Sequence, residues 1–98
     1  MSLNRYAKRR DANEPEIVDA LEAAGCTVER LDTPADLLVG KGARNFLIEV
    51  KAPGGRPTKS QKEFFARWKG QARIVETAEE ALEVVRECYE TQIRNDES

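Results

Sequence analysis

The sequence predicts a small α/β domain, a mixed four-stranded sheet flanked by helices in the order α-β-β-β-α-β-α. Three observations point to it. Apolar residues recur at helical spacing over 17–24 and 81–88, side chains alternate strictly over Asn45–Lys51, and capping residues precede each helical stretch. At 98 residues the chain suits one domain with a thin core.

Residues 1–11 are polar and basic and read as an N-terminal arm. The first helix begins near Asn13, which suits a cap, with Pro15 in the first turn and Glu16 three residues after the cap. Ile17, Val18, Leu21 and Ala24 form its inward stripe, and Gly25 stops it. Thr27–Leu31 alternates as a strand until Thr33-Pro34 breaks it. Asp36–Val39 is a short apolar strand, and Asn45–Lys51 is its partner across a hairpin through Gly40–Arg44. In the latter, Phe46, Ile48 and Val50 face one way and Leu47, Glu49 and Lys51 the other.

Pro53–Pro57 can only be a loop. Thr58 to about Lys69 reads as a second helix with the stripe Gln61, Phe64, Phe65 and Trp68, ended by Gly70. A fourth strand, Gln71–Glu76, centres on Ile74 and Val75. Thr77 with Glu80 is a capping box opening the last helix, whose stripe is Ala81, Leu82, Val84, Val85 and Cys88. The folded domain is thus expected over 12–91, with 92–98 a polar tail that frays.

Composition excludes whole classes of function. No run approaches the ~18 apolar residues of a membrane span, and no apolar block follows Arg5, Lys8, Arg9 and Arg10 as a secretion signal would require. A cytoplasmic protein is expected, with Cys26 and Cys88 as reduced thiols rather than a disulfide. There is no histidine, so imidazole bases, Ser-His-Asp triads and histidine-ligated zinc are all excluded. Chemistry must rest on carboxylates, lysines, hydroxyls and a hard metal ion; nothing calls for an organic cofactor.

The net charge of −2 conceals segregation: residues 1–10 carry +4, 11–40 carry −7, 41–75 carry +7 and 76–98 carry −6. The basic middle suits either a face for a polyanion or ordinary surface charge.

Asp36 followed by Glu49-Val50-Lys51 is the constellation that carries chemistry. Two carboxylates and an ammonium at the end of an apolar hairpin are costly unless a cation offsets them. Asp36, Glu49 and the Val50 main-chain carbonyl would offer oxygen ligands suited to Mg²⁺, or Mn²⁺ in its place. A bare D…ExK pattern arises often by chance, and a solvated Glu49–Lys51 surface pair would leave the same letters. The apolar context on both strands distinguishes this instance.

Asp36-Leu-Leu-Val-Gly, Phe-Leu-Ile-Glu49-Val-Lys51 and Pro57-Thr-Lys-Ser-Gln61 together resemble the VRR-NUC family of virus-type replication-repair nucleases, within the PD-(D/E)XK superfamily and related to Holliday-junction resolvases. The likeness spans roughly Asp11 to Val85. One departure is Ala35, where the family's proline usually stands, with Pro34 one place earlier.

The resemblance implies a restriction-endonuclease-like core and metal-dependent endonucleolytic cleavage of DNA, structure-selective on branched or Holliday-junction substrates, in a phage or prophage setting. It implies Asp36 and Glu49 as metal ligands and catalytic residues and Lys51 as the catalytic lysine, able to orient water or offset phosphoryl charge. It places a further acid on the first helix, for which Glu14 and Glu16 both qualify. Helical geometry favours Glu14, which shares the face of Ile17, Val18 and Leu21. Gln61 matches the family's glutamine, although its spacing from Thr58 equally fits a capping box.

Phosphate contacts are expected from Arg5, Lys8, Arg9 and Arg10 on the arm, Lys41 and Arg44 at the hairpin tip, and Arg56, Lys59 and Lys62 around the second loop, the last five near the metal site. A homodimer is expected, since one thin domain has little surface for two duplex arms, with Phe64 and Trp68 as candidate interface. Trp68 could instead stack on a base, though a core or dimer role fits its apolar stripe better. The alternative is a non-catalytic DNA-binding or protein-interaction module that keeps the same fold.

Overall fold

The computed structural model describes residues 11–97, with side chains through Glu87. Its elements are α1 (Glu14–Ala23), β1 (Thr27–Arg30), β2 (Leu37–Lys41), β3 (Arg44–Val50), α2 (Lys59–Arg67), β4 (Ala72–Val75) and α3 (Ala78–Glu97). The order is the one expected. The strands lie β1-β2-β3-β4, antiparallel from β1 to β3, with β4 parallel to β3. A parallel neighbour needs a crossover, and α2 supplies it.

The two faces of the sheet are covered unequally. On one, α1 contributes Ile17, Val18 and Leu21, and α3 contributes Ala81, Val84 and Val85. They close on Leu37, Val39, Phe46, Ile48, Val50 and Val75. On the other, α2 alone covers a smaller cluster of Ala35, Leu47 and Phe64. The alternation in β3 therefore sorts as expected: even residues enter the larger core, while Leu47 and Glu49 turn toward α2's side.

Several local expectations change. The β2–β3 hairpin closes through Gly42 and Ala43, both at positive φ (57° and 66°), with Lys41 opposite Arg44. This is a two-residue primed turn, whose twist suits the strands, so Gly40 belongs to β2. The second helix ends at Arg67 because Trp68 is extended (φ −72°, ψ 126°). Leu82, one residue off the Ala81–Val85 stripe, is exposed, as is Ile74 on the edge strand β4. Helix α3 is continuous to Glu97, past Gln92. Thr77 Oγ1 accepts the Glu80 N–H, while the Glu80 carboxylate reaches the Glu76 N–H.

Asn13 does not cap α1 with its side chain. Its Nδ2 instead donates to the carbonyls of Lys51 (3.0 Å) and Glu76 (2.6 Å). One amide therefore ties the start of α1 to the ends of β3 and β4. Asn13→Ala should cost about 2–3 kcal/mol, the loss of two partly buried hydrogen bonds, read as a lower urea midpoint with unchanged slope.

Cys26 is a buried free thiol in the larger core; the side chain of Cys88 lies outside the described residues. Burial raises the Cys26 pKa above the ordinary 9.0, an effect that nearby Lys41 partly offsets. The folded state thus holds the proton more tightly than the unfolded chain. Its contribution to stability is complete below the unfolded thiol's pKa and declines as pH rises from there through the folded value. In a Cys88→Ser background, Cys26 should resist alkylation at pH 8 and react only when denaturant is added. Among the described residues, no helix is long and apolar enough to cross a membrane.

Candidate active site

The candidate site forms at the open end of the β2–β3 hairpin. Asp36 and Glu49 each lie one residue past the last paired positions, Leu37 and Ile48. Both are buried, at 3% and 1% exposure. Asp36 Oδ2 accepts the Val50 N–H at 2.7 Å, so its carboxylate is fixed against the main chain of β3.

Glu49, Lys51 and Gln61 converge. Glu49 Oε2 lies 3.2 Å from Lys51 Nζ and accepts a 2.8 Å hydrogen bond from Gln61 Nε2. The Lys51 main chain is held from both sides: its N–H donates to Val75, and its carbonyl accepts from Asn13. Gln61 both caps α2 and contacts Glu49. Its Oε1 accepts the Thr58 N–H at 2.9 Å, and its own N–H donates to Thr58 Oγ1, completing the capping box. The amide is bifunctional, and using the oxygen for the cap aims the nitrogen at Glu49.

Of the two first-helix acids, Glu14 is 1% exposed and faces inward, whereas Glu16 faces solvent. Glu14 Oε2 lies 3.2 Å from Arg30 Nε. Arg30 is opposite Leu37, next to Asp36, so Glu14 sits at the same end of the sheet. Sequence reasoning missed both Arg30 and the Asn13 clamp. Arg30 is the lone base among eight acids over 11–40, which was the available signal.

The basic residues divide. Arg56, Lys59 and Lys62 are exposed on the loop after Lys51 and on the first turns of α2, beside Gln61. Lys41 and Arg44 are not near this site. They flank the hairpin turn, five residues along β3 from Glu49, or about 17 Å. A hairpin's turn and its open end are separated by the strand's full length. Lys41 Nζ instead donates to the Ala24 carbonyl at 2.5 Å, fastening the turn to α1. Arg5, Lys8, Arg9 and Arg10 lie outside the described residues.

Phe64 is buried against Leu47 and Ala35 within its own chain. Trp68 is not core: it stacks on Phe64, 5.2 Å between centroids, yet stays 46% exposed.

As placed, no group of three or more acidic or cysteine side chains among the described residues is set to hold a metal ion. Asp36 and Glu49, each buried and each one residue past the paired Leu37 and Ile48, are the two carboxylates at this end of the hairpin, and oxygen donors are the kind hard divalent cations take. Glu14 is drawn to Arg30 instead. No family model, curated protein or solved structure matches the chain.

Proposed function

We propose that the chain is a metal-dependent endodeoxyribonuclease with a PD-(D/E)XK-type core, acting on branched DNA as a homodimer in the cytoplasm. The observation that carries this reading is the convergence of Glu49, Lys51 and Gln61 at the hairpin end that also carries the buried Asp36. Support also comes from the meander β1-β2-β3 followed by a helical crossover to parallel β4, and from the basic side chains Arg56, Lys59 and Lys62 beside Gln61.

In this reading Asp36, Glu49 and the Val50 carbonyl hold Mg²⁺, or Mn²⁺ in its place, with Glu14 at the margin. The ion supplies Lewis acidity toward a phosphodiester and lowers the pKa of water. Lys51, fixed at its main chain, offers an ammonium to the charge that grows on the phosphoryl oxygens. Gln61 keeps Glu49 in place. Lys59, Lys62 and Arg56 bind flanking phosphates without reading bases.

A second reading, a DNA-binding module without cleavage, draws on the bonds that already engage Asp36 Oδ2 and Glu49 Oε2 within the protein. Incubation with four-way junction, flap and blunt duplex separates the two. The nuclease reading requires cleavage with Mg²⁺ or Mn²⁺, none in EDTA, and a loss of at least about 10²-fold in Glu49→Gln. Activity that ignores chelation overturns it, and binding without cleavage establishes the module. Sedimentation of the intact chain tests the dimer.

A further inference from the structure

We propose that the cleft beside Trp68 is a stacking slot for an unpaired nucleobase, so that the chain prefers nucleic acid with unstacked bases to fully paired duplex. The proposal deepens the nucleic-acid reading above and rests on it, but not on cleavage.

The slot lies on the thinly covered face of the sheet. Leu38, Leu47 and Ala72 are in register across three strands on that face, and α2 shields only part of it. A cleft of about 330 Å³ remains, bounded by Pro34, Leu38, Leu47, Trp68, Gly70 and Gln71. That is the low end for small-ligand clefts, ~300–1,000 Å³, and suits a single flat heterocycle.

Its wall is a prepared platform. The indole leans on the buried Phe64 ring with the planes 28° apart. Beyond it the chain turns back through Gly70, where an added Cβ would come within 2.8 Å of Trp68 Nε1. A side chain at position 70 would therefore push the indole from its seat. Gln71, whose Nε2 donates to the Asn45 carbonyl, puts an amide at the rim.

Charge complementarity identifies the occupant. Arg67 and Lys69 flank Trp68, both exposed, and the Arg67 guanidinium lies 5.4 Å over the Phe64 ring. Between Arg56 and Arg73 the sequence has six basic residues and one acid, Glu63. An apolar slot in that setting suits a ring carried on a polyanion. An aromatic platform within a basic track is how single strands are held without sequence preference.

The slot also lies near the candidate active site. Trp68 follows directly on the end of α2 at Arg67, six helical residues beyond Gln61, or about 9 Å. A second cleft, lined by Thr33, Pro34, Thr58, Gln61 and Arg67 with Asp32 the acid on its wall, shares Pro34 with the slot and reaches Gln61. A strand leaving a base seated at Trp68 along this cleft would pass Gln61, which contacts Glu49.

Trp68 is the only tryptophan, so its fluorescence reports the slot directly. In EDTA, which keeps cleavage out of the measurement, a short oligothymidylate should quench the emission saturably. Blunt duplex of equal length should need at least about ten times the concentration. Trp68→Ala should weaken oligothymidylate binding, followed by anisotropy of a labelled strand, by about 5- to 100-fold, the contribution of stacking one base. Trp68→Phe should restore most of it. Gly70→Ala should shift the emission and weaken binding while circular dichroism shows the chain still folded.

Equal quenching by blunt duplex, or no quenching, overturns the slot. So does emission that follows protein concentration rather than oligonucleotide, which would make Trp68 a contact between copies. Quenching by a protein that never cleaves any DNA overturns the nuclease reading and leaves the slot standing. Cleavage by a protein whose tryptophan ignores DNA does the reverse.

Discussion

Lys51→Met should cost the protein about 3 kcal/mol of stability and cleavage about 10²–10³ in rate. The stability loss arises because Glu49 stays 1% exposed while losing the ammonium 3.2 Å away. Removing one partner of a buried pair leaves the other's desolvation uncompensated. For a domain of this size it corresponds to a fall in Tm of about 12–24 °C. Adding Glu49→Gln neutralises the carboxylate while keeping its shape and its proximity to Gln61. The double variant should therefore regain most of the lost stability and none of the cleavage. Thermal melts and cleavage assays on the single and double variants form a complete cycle. If Lys51→Met melts like the parent, the pair is a solvated surface contact, the bland alternative open from the sequence alone.

Asp36 separates structure from chemistry at a single position. Its Oδ2 accepts the buried Val50 N–H, so Asp36→Ala should cost about 2 kcal/mol through a stranded main-chain donor and a lost charge-assisted bond. Asp36→Asn retains an oxygen acceptor and should stay within about 1 kcal/mol of the parent. Both should abolish metal-dependent cleavage, because neither offers a carboxylate. Urea unfolding beside a junction-cleavage assay checks this. An Asp36→Asn protein that is stable and fully active would remove Asp36 from the site.

What was legible in the sequence follows from what is local. The period of two in β3 placed Glu49 on the face opposite Phe46, Ile48 and Val50, and helical spacing chose Glu14 over Glu16 as the inward acid. The Thr58–Gln61 spacing fixed the start of α2. It did not show that the cap and the contact with Glu49 use opposite ends of one amide, because that depends on where the crossover helix lands. Arg30 stands out as the lone base over 11–40, but its pairing with Glu14 was not legible, because β1 shows no burial alternation and the ion pair depends on strand register and on α1. Asn13 shows the same limit: its residue type signals a cap, while its bonds to Lys51 and Glu76 come from tertiary placement. The misplacement of Lys41 and Arg44 was avoidable, since a turn five residues from Glu49 lies at the far end of the strand.

The proposed chemistry needs a divalent cation bound between Asp36 and Glu49. Crystals soaked in Mn²⁺ test it most directly through anomalous scattering. A peak is expected between the Asp36 and Glu49 carboxylates and the Val50 carbonyl, absent from Glu49→Gln crystals treated the same way. No peak there at saturating Mn²⁺, in a protein shown to be folded, would contradict it.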